Sequence, residues 1–170
     1  MSSRDELCRA AVGRLYDAYA TELIRLCALY LKDAHLARDA VQDTFLNVYR
    51  HYDKFRGEAS EKTWLISIAV NVCRGYLRSA WFRRVDRRED ALDAQIEDDT
   101  FTFPDNTVLE EVMRLKPRLR EAVLLRFYSG MKLRDIALSL HVSESTVRAR
   151  LNKAESILRV NLEEWYNENK

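Results

Sequence analysis

Arginine, lysine, asparagine and serine side chains recur between residues 145 and 153 at a spacing that could bind nucleic acid. These groups hydrogen-bond to phosphates and to base edges in the major groove of DNA. A helical period places most of them on one outward face, with Arg150 at its flank. The outward residues are Ser145, Arg148, Ala149, Asn152 and Lys153. The pattern therefore favours the reading of DNA by a helix.

Two short helices joined by a tight turn would hold that face in place, as in a DNA-binding helix-turn-helix. Ser143 is the predicted N-cap of the second helix, because its hydroxyl can accept a hydrogen bond from an amide of the first turn. His141 occupies the turn position that usually carries glycine. Histidine tolerates the left-handed backbone conformation less readily, yet we expect the turn to form. The predicted apolar seam consists of Ile136, Ala137, Leu140, Val142, Val147 and Leu151.

The composition indicates an all-helical globular chain. Of 170 residues, 47% are hydrophobic and 32% charged, with only four glycines and two prolines, as in a soluble protein. Three widely spaced cysteines do not form a zinc or disulfide pattern, so we expect reduced thiols, with Cys27 and Cys73 on buried helix faces. The sequence shows neither a signal peptide nor an apolar run of membrane-spanning length, which favours a cytoplasmic location.

The first half of the chain has a continuous helical period. Apolar residues recur every three or four positions and predict a pair of core helices between Asp5 and Lys32. Asp33 can cap the next helix, which is expected from Ala34 to about Tyr52. The polar face of that helix carries Asp39, Gln42 and Asp43. A solvated surface is the default for such residues, although a protein-docking surface would show the same pattern.

A loop at Phe55–Ser60 leads into a strongly apolar helix that begins near Thr63 and passes Asn71. On the residues alone, Asn71 is better explained as a structural hydrogen-bonding group than as a recognition residue. Basic and aromatic residues follow, and they suit single-stranded nucleic acid because cations track the phosphates and rings stack on bases. Aromatic residues that close the core, beside solvated arginines, explain the mixture equally well. The residues are Arg74, Tyr76, Arg78, Trp81, Phe82, Arg83 and Arg84.

An acidic segment separates this first domain from a basic second one. Between Asp86 and Asp105, eight acidic residues stand against two arginines, a composition typical of an extended or disordered linker. The segment is either a simple tether or a stretch that can occupy a basic channel built for nucleic acid. Beyond it, Thr107 is the predicted N-cap of a helix from Val108 to Arg114. Pro117 is expected to open the next helix, and Gly130 to end it.

Taken in this order, the elements resemble a bacterial RNA polymerase sigma factor of the extracytoplasmic-function (ECF) class, which keeps only sigma regions 2 and 4. The segment Asp39–Phe45 resembles region 2.2, and Phe55–Asn71 resembles regions 2.3 and 2.4. The segment Leu115–Lys153 resembles region 4. The resemblance therefore covers nearly the whole chain.

The resemblance implies an all-α fold of two small helical domains and a role for each. Its region 2 domain would be residues 1–85, its flexible acidic linker 86–106 and its region 4 domain 107–170. The residues implied to bind core polymerase are Asp39, Gln42 and Asp43. Those implied to open the promoter and hold the −10 strand are Trp64, Asn71, Arg74, Arg78, Trp81, Arg83 and Arg84. Those implied to bind the −35 element are Ser145, Thr146, Arg148, Ala149, Arg150, Asn152 and Lys153.

The resemblance also replaces the structural interpretation of Asn71 with a place in a pocket for a flipped-out −10 base, whose extrusion polar contacts must offset. Gly75 departs from the family, which commonly has an acidic or amide residue there, so exact −10 preferences are not transferred. The implied partners are core RNA polymerase, promoter DNA and a separate anti-sigma factor. Anti-sigma factors of this class are often membrane-anchored and would hold this protein at the inner face of the membrane. No cofactor, metal or small-molecule substrate is expected.

Two other classes of protein compete with this hypothesis. A helix-turn-helix transcription regulator with a helical sensor or dimerisation domain would bind duplex DNA without polymerase. The first half lacks an obvious ligand motif and carries the basic and aromatic segment, which argues against that class. An enzyme is not expected, because the sequence has no glycine-rich phosphate loop, metal-ligand cluster or nucleophile with a base.

Overall fold

A computed structural model describes the backbone of residues 3–87 and 106–168. The side chains at 81–87, 106, 164–166 and 168 lie outside the description, as do residues 88–105 of the predicted linker. The described residues are helical and contain no strand, which confirms the all-α prediction. The chain divides into two compact units, Met1–Asp98 and Asp99–Lys170. The exact domain bounds given above stay a prediction.

Within the described residues, the first unit consists of three helices, which are α1 (Ser3–Leu31), α2 (Ala34–His51) and α3 (Glu61–Arg87). The prediction of two core helices before Lys32 is wrong, because α1 is one continuous helix. Its segment contains no proline, and its one glycine, Gly13, lies on an exposed face. Asp33 caps α2 as predicted, since its Oδ1 accepts a hydrogen bond from the Leu36 amide at 2.9 Å.

The three helices enclose an apolar core and are joined by a short connection. A 3-10 turn at Tyr52–Lys54 and a loop at Phe55–Ser60 link α2 to α3, where the loop was predicted. Ser60 caps α3, because its hydroxyl accepts a hydrogen bond from the Thr63 amide at 3.1 Å. Cys27 and Cys73 are buried free thiols, as predicted. Fully buried core residues include Leu15, Leu23, Leu26, Val48, Leu65 and Val70.

The described part of the second unit contains α4 (Asn106–Arg114), α5 (Pro117–Val123), α6 (Leu133–Leu140) and α7 (Glu144–Glu168), with a π-helical turn at Leu124–Tyr128 after α5. Pro117 begins α5, and Gly130, whose φ is 68°, follows the π-helical turn, as predicted. Thr107 is not the N-cap of α4, because the helix already includes Asn106. The second helix of the motif, predicted to be short, and the helical tail predicted to run on through Trp165 form one helix. It continues for 25 residues, since neither glycine nor proline interrupts it.

Candidate functional site

The helix-turn-helix forms with the turn chemistry expected from the sequence. His141 adopts the left-handed conformation, with φ 55° and ψ 44°, and ends α6. The Val142 amide donates a hydrogen bond to the Ala137 carbonyl at 3.0 Å, which satisfies a carbonyl left free by the helix end. Ser143 caps α7, because its hydroxyl accepts a hydrogen bond from the Thr146 amide at 3.1 Å. The predictions for His141 and Ser143 are confirmed.

The apolar seam fixes which face of α7 points to solvent. Its predicted members Ile136, Ala137, Leu140 and Val147 are buried, while Val142 and Leu151 are half-buried. The opposite face of α7 is exposed at Ser145, Arg148, Ala149, Asn152 and Lys153. Hydroxyl, guanidinium, amide and ammonium donors thus lie on one side of a rigid helix. This arrangement can donate hydrogen bonds to phosphates and to base edges.

Arg150 differs from its neighbours on α7. Its Nη1 forms an ion pair with Oε1 of Glu121 on α5 at 3.0 Å, and the two side chains are only 16% and 11% exposed. The pair therefore connects α7 to α5. Thr146 is also half-buried, with its hydroxyl 2.8 Å from that of Ser143. Helical spacing had placed Arg150 at the flank of the outward face, and the resemblance had added both residues to the −35 set, because their partners could not be identified from the sequence.

The polar face of α2 lies where the periodicity predicts it. Asp39 and Gln42 are exposed, and Asp43 is half-buried. The Tyr76 hydroxyl of α3 donates a hydrogen bond to Oδ2 of Asp43 at 2.5 Å. Burial and this bond raise the pKa of Tyr76, so the phenol keeps its proton at neutral pH. The sequence-based prediction for this face did not include Leu46, which is exposed seven positions after Asp39, on the same side of the helix.

The α3 face that was predicted to hold the −10 strand begins at Asn71. Asn71 is exposed, and within the described residues its side chain makes no hydrogen bond. The structural role that the residues alone suggested therefore does not apply. Arg74 is half-buried and Arg78 exposed, three and seven positions further along the helix. The helix passes Gly75 without a break, whereas the side chains of Trp81, Arg83 and Arg84 lie outside the described residues.

Trp64 is half-buried in an aromatic cluster at the start of α3. Its ring centroid lies 5.1 Å from that of Phe55 and 6.1 Å from that of Tyr52. The Tyr52 hydroxyl donates to Oε1 of Glu61 at 2.6 Å, and Arg14 of α1 binds both oxygens of the same carboxylate. The Arg14 guanidinium, followed by the Tyr52 hydroxyl, lowers the pKa of Glu61 to about 2. Glu61 is therefore ionised at neutral pH.

The described part of the chain contains neither a metal-ligand group nor a membrane-spanning helix. Its histidine, cysteine and carboxylate side chains form no group of three or more that could hold a metal ion. None of the helices in these residues is both long enough and apolar enough to cross a bilayer.

Each of the two units matches a known protein family. Residues 15–83 match the Sigma-70 region 2 family, and residues 106–158 match the Sigma-70, region 4 family. The chain is 29% identical over 164 residues to the ECF RNA polymerase sigma factor SigX of Bacillus subtilis (strain 168), with 88% of this chain and 82% of that protein covered. It is 31% identical over 158 residues to the ECF RNA polymerase sigma-E factor of Escherichia coli (strain K12), with 85% and 82% covered.

Two solved structures share the fold. The sigma factor RpoE in complex with the anti-sigma factor NepR from Bartonella quintana has a TM-score of 0.75 at 20% identity, covering 89% of this chain and 96% of that chain. The structure of CnrH in complex with the cytosolic domain of CnrY has a TM-score of 0.65 at 22% identity, covering 94% and 95%. These likenesses concern the fold alone.

Proposed function

Because the chain belongs to the ECF RNA polymerase sigma factors, we propose that it directs promoter-specific initiation through three binding surfaces. The face of α2 would bind core polymerase, the face of α3 would hold the melted −10 strand and the face of α7 would read the −35 element. A sigma factor binds core polymerase and promoter DNA. The rival, a regulator that binds duplex DNA without polymerase, is not favoured, because it does not account for the region 2 match at residues 15–83.

The observation that carries the proposal is the occurrence of both sigma regions in one chain, each with its polar face exposed. The direct test is reconstitution. Added to core polymerase, the protein should start transcription at a defined promoter that core polymerase alone does not use. Binding to the promoter duplex without any gain of initiation would favour the regulator instead.

The polymerase-binding surface is proposed to be Asp39, Gln42 and Leu46 on α2, with Asp43 beside them. Charge, amide and apolar groups lie together there on one exposed or half-exposed side of the helix. A folded Asp39→Ala, Gln42→Ala double variant should lose binding to core polymerase in a pull-down. The matched control is Asp17→Ala, which removes an exposed carboxylate from α1 and should bind normally. Retained binding by the double variant would reject this surface.

The −10 surface is proposed to centre on Asn71, with Arg74 and Arg78 along the same face of α3. Trp81, Arg83 and Arg84 belong to the same proposed set, and Trp64, at the start of α3, is proposed to act in promoter opening. Its support is the exposed Asn71 amide, which has hydrogen-bonding capacity to offer a base edge. Binding of single-stranded −10 oligonucleotides, randomised at one position at a time, tests this assignment. Asn71→Ala should flatten the preference at one position, while Arg78→Ala should weaken all oligonucleotides alike, as expected for a phosphate contact.

The −35 surface is proposed to include Arg148, Asn152 and Lys153, with Ser145, Thr146, Ala149 and Arg150 as neighbours. A base-contacting arginine contributes about 1–3 kcal/mol of discrimination against the wrong base. Arg148→Ala should therefore reduce the preference for the correct −35 sequence by at least about fivefold. Arg159→Ala, an exposed arginine later on α7, is the control and should leave the preference unchanged. A uniform loss across all promoters would make Arg148 a phosphate contact.

The same proposal places the protein in the cytoplasm, where its polymerase is, and gives it no catalytic activity of its own. We also propose control by a separate anti-sigma factor. The two solved structures that share the fold are complexes, with the anti-sigma factor NepR and with the cytosolic domain of CnrY. Affinity capture of the tagged protein from its own cells, with and without the Asp39→Ala, Gln42→Ala substitutions, would test whether such a partner competes with polymerase for α2. Capture of polymerase as the sole partner would reject this form of control.

A further inference from the structure

We propose that Arg14, Glu61 and Tyr52 form a positioning network that holds Trp64 and the Phe55–Ser60 loop in the orientation needed for promoter opening. The inference rests on the proposed function, because it assumes that Trp64 acts in opening. None of the three network residues belongs to the set that the resemblance implied. Their role is to act through Trp64, without contact to DNA.

The centre of the network is the Glu61 carboxylate, which accepts three hydrogen bonds. Arg14 Nη1 donates to Oε2 and Nη2 to Oε1, each at 2.7 Å. The Tyr52 hydroxyl donates to Oε1 at 2.6 Å. A bidentate guanidinium–carboxylate pair fixes the relative orientation of the two side chains as well as their distance. Glu61 therefore sets the position of the Tyr52 hydroxyl relative to α1.

Tyr52 connects the Glu61 carboxylate to the aromatic cluster. Its ring lies 6.2 Å from Phe55 and 6.1 Å from Trp64, and Phe55 and Trp64 are 5.1 Å apart, measured between centroids. The Tyr52 hydroxyl is thus held by its hydrogen bond to the Glu61 carboxylate, while the Tyr52 ring packs on Phe55 and Trp64. A shift of Tyr52 would move the surface on which Trp64 packs.

The network lies outside the apolar core, so its loss should not unfold the unit. The Arg14 and Glu61 side chains are 56% and 28% exposed, and exposed ion pairs contribute little to stability. The buried face of α3 is held separately by fully buried residues such as Leu65 and Val70. The bidentate geometry therefore contributes to orientation more than to folding.

A second ion pair between the same two helices provides a matched control. Lys62 Nζ lies 2.8 Å from Oε1 of Glu22 on α1, and it also lies 5.8 Å from the Tyr19 ring centroid. It resembles the Arg14–Glu61 pair in location and exposure, but among the described residues its ion pair and ring contact do not involve Tyr52, Phe55 or Trp64. Glu22→Gln therefore removes charge from the α1–α3 contact without disturbing the proposed path to Trp64.

The experiment compares holoenzymes reconstituted with full-length Glu61→Gln, Tyr52→Phe, Glu22→Gln and Trp64→Ala variants. Permanganate reactivity of unpaired thymines measures opening on a duplex promoter and on the same promoter pre-melted over the −10 element. Glu61→Gln and Tyr52→Phe should lower the open fraction on duplex by roughly fivefold, the effect of weakening a partly exposed charge-assisted hydrogen bond. Both should reach the wild-type level on the pre-melted template. Their melting temperature and core binding should stay unchanged, and Glu22→Gln should behave as wild type.

Three outcomes overturn the inference. Wild-type opening by Glu61→Gln and Tyr52→Phe, beside a defective Trp64→Ala, rejects the network while the assignment of Trp64 stands. Equal losses on duplex and pre-melted promoters show that the residues serve the fold or polymerase binding. Wild-type opening by Trp64→Ala rejects the proposed role of Trp64 itself, and the inference with it.

Discussion

Replacement of Arg150 by alanine should destabilise the second unit, because it leaves the Glu121 carboxylate in a poorly hydrated contact between α7 and α5. The two charged groups are 3.0 Å apart, and their side chains are 16% and 11% exposed. Removal of one partner from a fully buried pair costs about 3–5 kcal/mol, whereas an exposed pair contributes about 0.2–1 kcal/mol. Since some exposure remains on both side chains, we expect Arg150→Ala to cost about 2 kcal/mol, between these limits.

Hydrogen exchange followed by mass spectrometry on the full chain measures this loss locally. Amides of α5 and α7 should exchange roughly 30-fold faster, the equivalent of 2 kcal/mol, while those of α1–α3 should keep their rates. Arg159→Ala is the matched control. Its pair with Glu155 is 2.8 Å long, but the side chains are 68% and 66% exposed, so its loss should cost less than about 0.5 kcal/mol.

A double-mutant cycle tests whether Arg150 and Glu121 stabilise each other. If the two residues stabilise each other, Glu121→Ala should cost less in the Arg150→Ala background than in the wild type. Equal costs in both backgrounds, or an Arg150→Ala variant as stable as Arg159→Ala, would show that the contact does not hold α7.

The same variants also test whether Arg150 contacts DNA, because Glu121→Ala breaks the ion pair without removing the charge of Arg150. Weaker −35 binding by Arg150→Ala alone would support a direct contact with DNA.

Three further predictions concern backbone positions and a helix cap. Gly75→Ala should stabilise the first unit by about 0.5–1 kcal/mol, because the added methyl group meets no atom within 4 Å in α3; a lower melting temperature would contradict this. Gly57→Ala should destabilise it by about 1–2 kcal/mol, because Gly57 has a φ of 70°, and an unchanged melting temperature would argue against strain. Ser143→Ala should cost about 1 kcal/mol by removing the bond to the Thr146 amide, seen as faster exchange in the first turn of α7. Unchanged protection there would mean that the cap is dispensable.

The features that the sequence predicted well depend on neighbours within four residues. Asp33 and Ser143 each accept a hydrogen bond from an amide three positions ahead, so the residue type and its place before an apolar period were enough to find both caps. His141 was recognisable for the same reason, because the turn geometry requires a left-handed residue at that position. The errors at α1 and α7 have the opposite origin. Where no breaker occurs, periodicity cannot tell one long helix from two short ones.

The features that could not be predicted join residues far apart in the chain. Glu121 and Arg150 are 29 positions apart, and Arg14 and Glu61 are 47 apart. Each residue taken alone has the pattern of a solvated charge on a helix. Only the packing of the helices brings the partners within hydrogen-bonding distance, and that packing depends on the whole core. Long-range ion pairs therefore need the structure.

Asp43 shows how this difference changes the meaning of an experiment. The sequence places it with Asp39 and Gln42 on one face of α2, but its Oδ2 also accepts a hydrogen bond from Tyr76 on α3. Tyr76 lies between Arg74 and Arg78, so the proposed polymerase surface and the proposed −10 surface share one side-chain contact. A variant that includes Asp43→Ala removes this contact together with any contact to polymerase. Loss of initiation in such a variant therefore has two explanations. Loss in the Asp39→Ala, Gln42→Ala variant is simpler to interpret, because among the described residues neither side chain forms a hydrogen bond or an ion pair with α3.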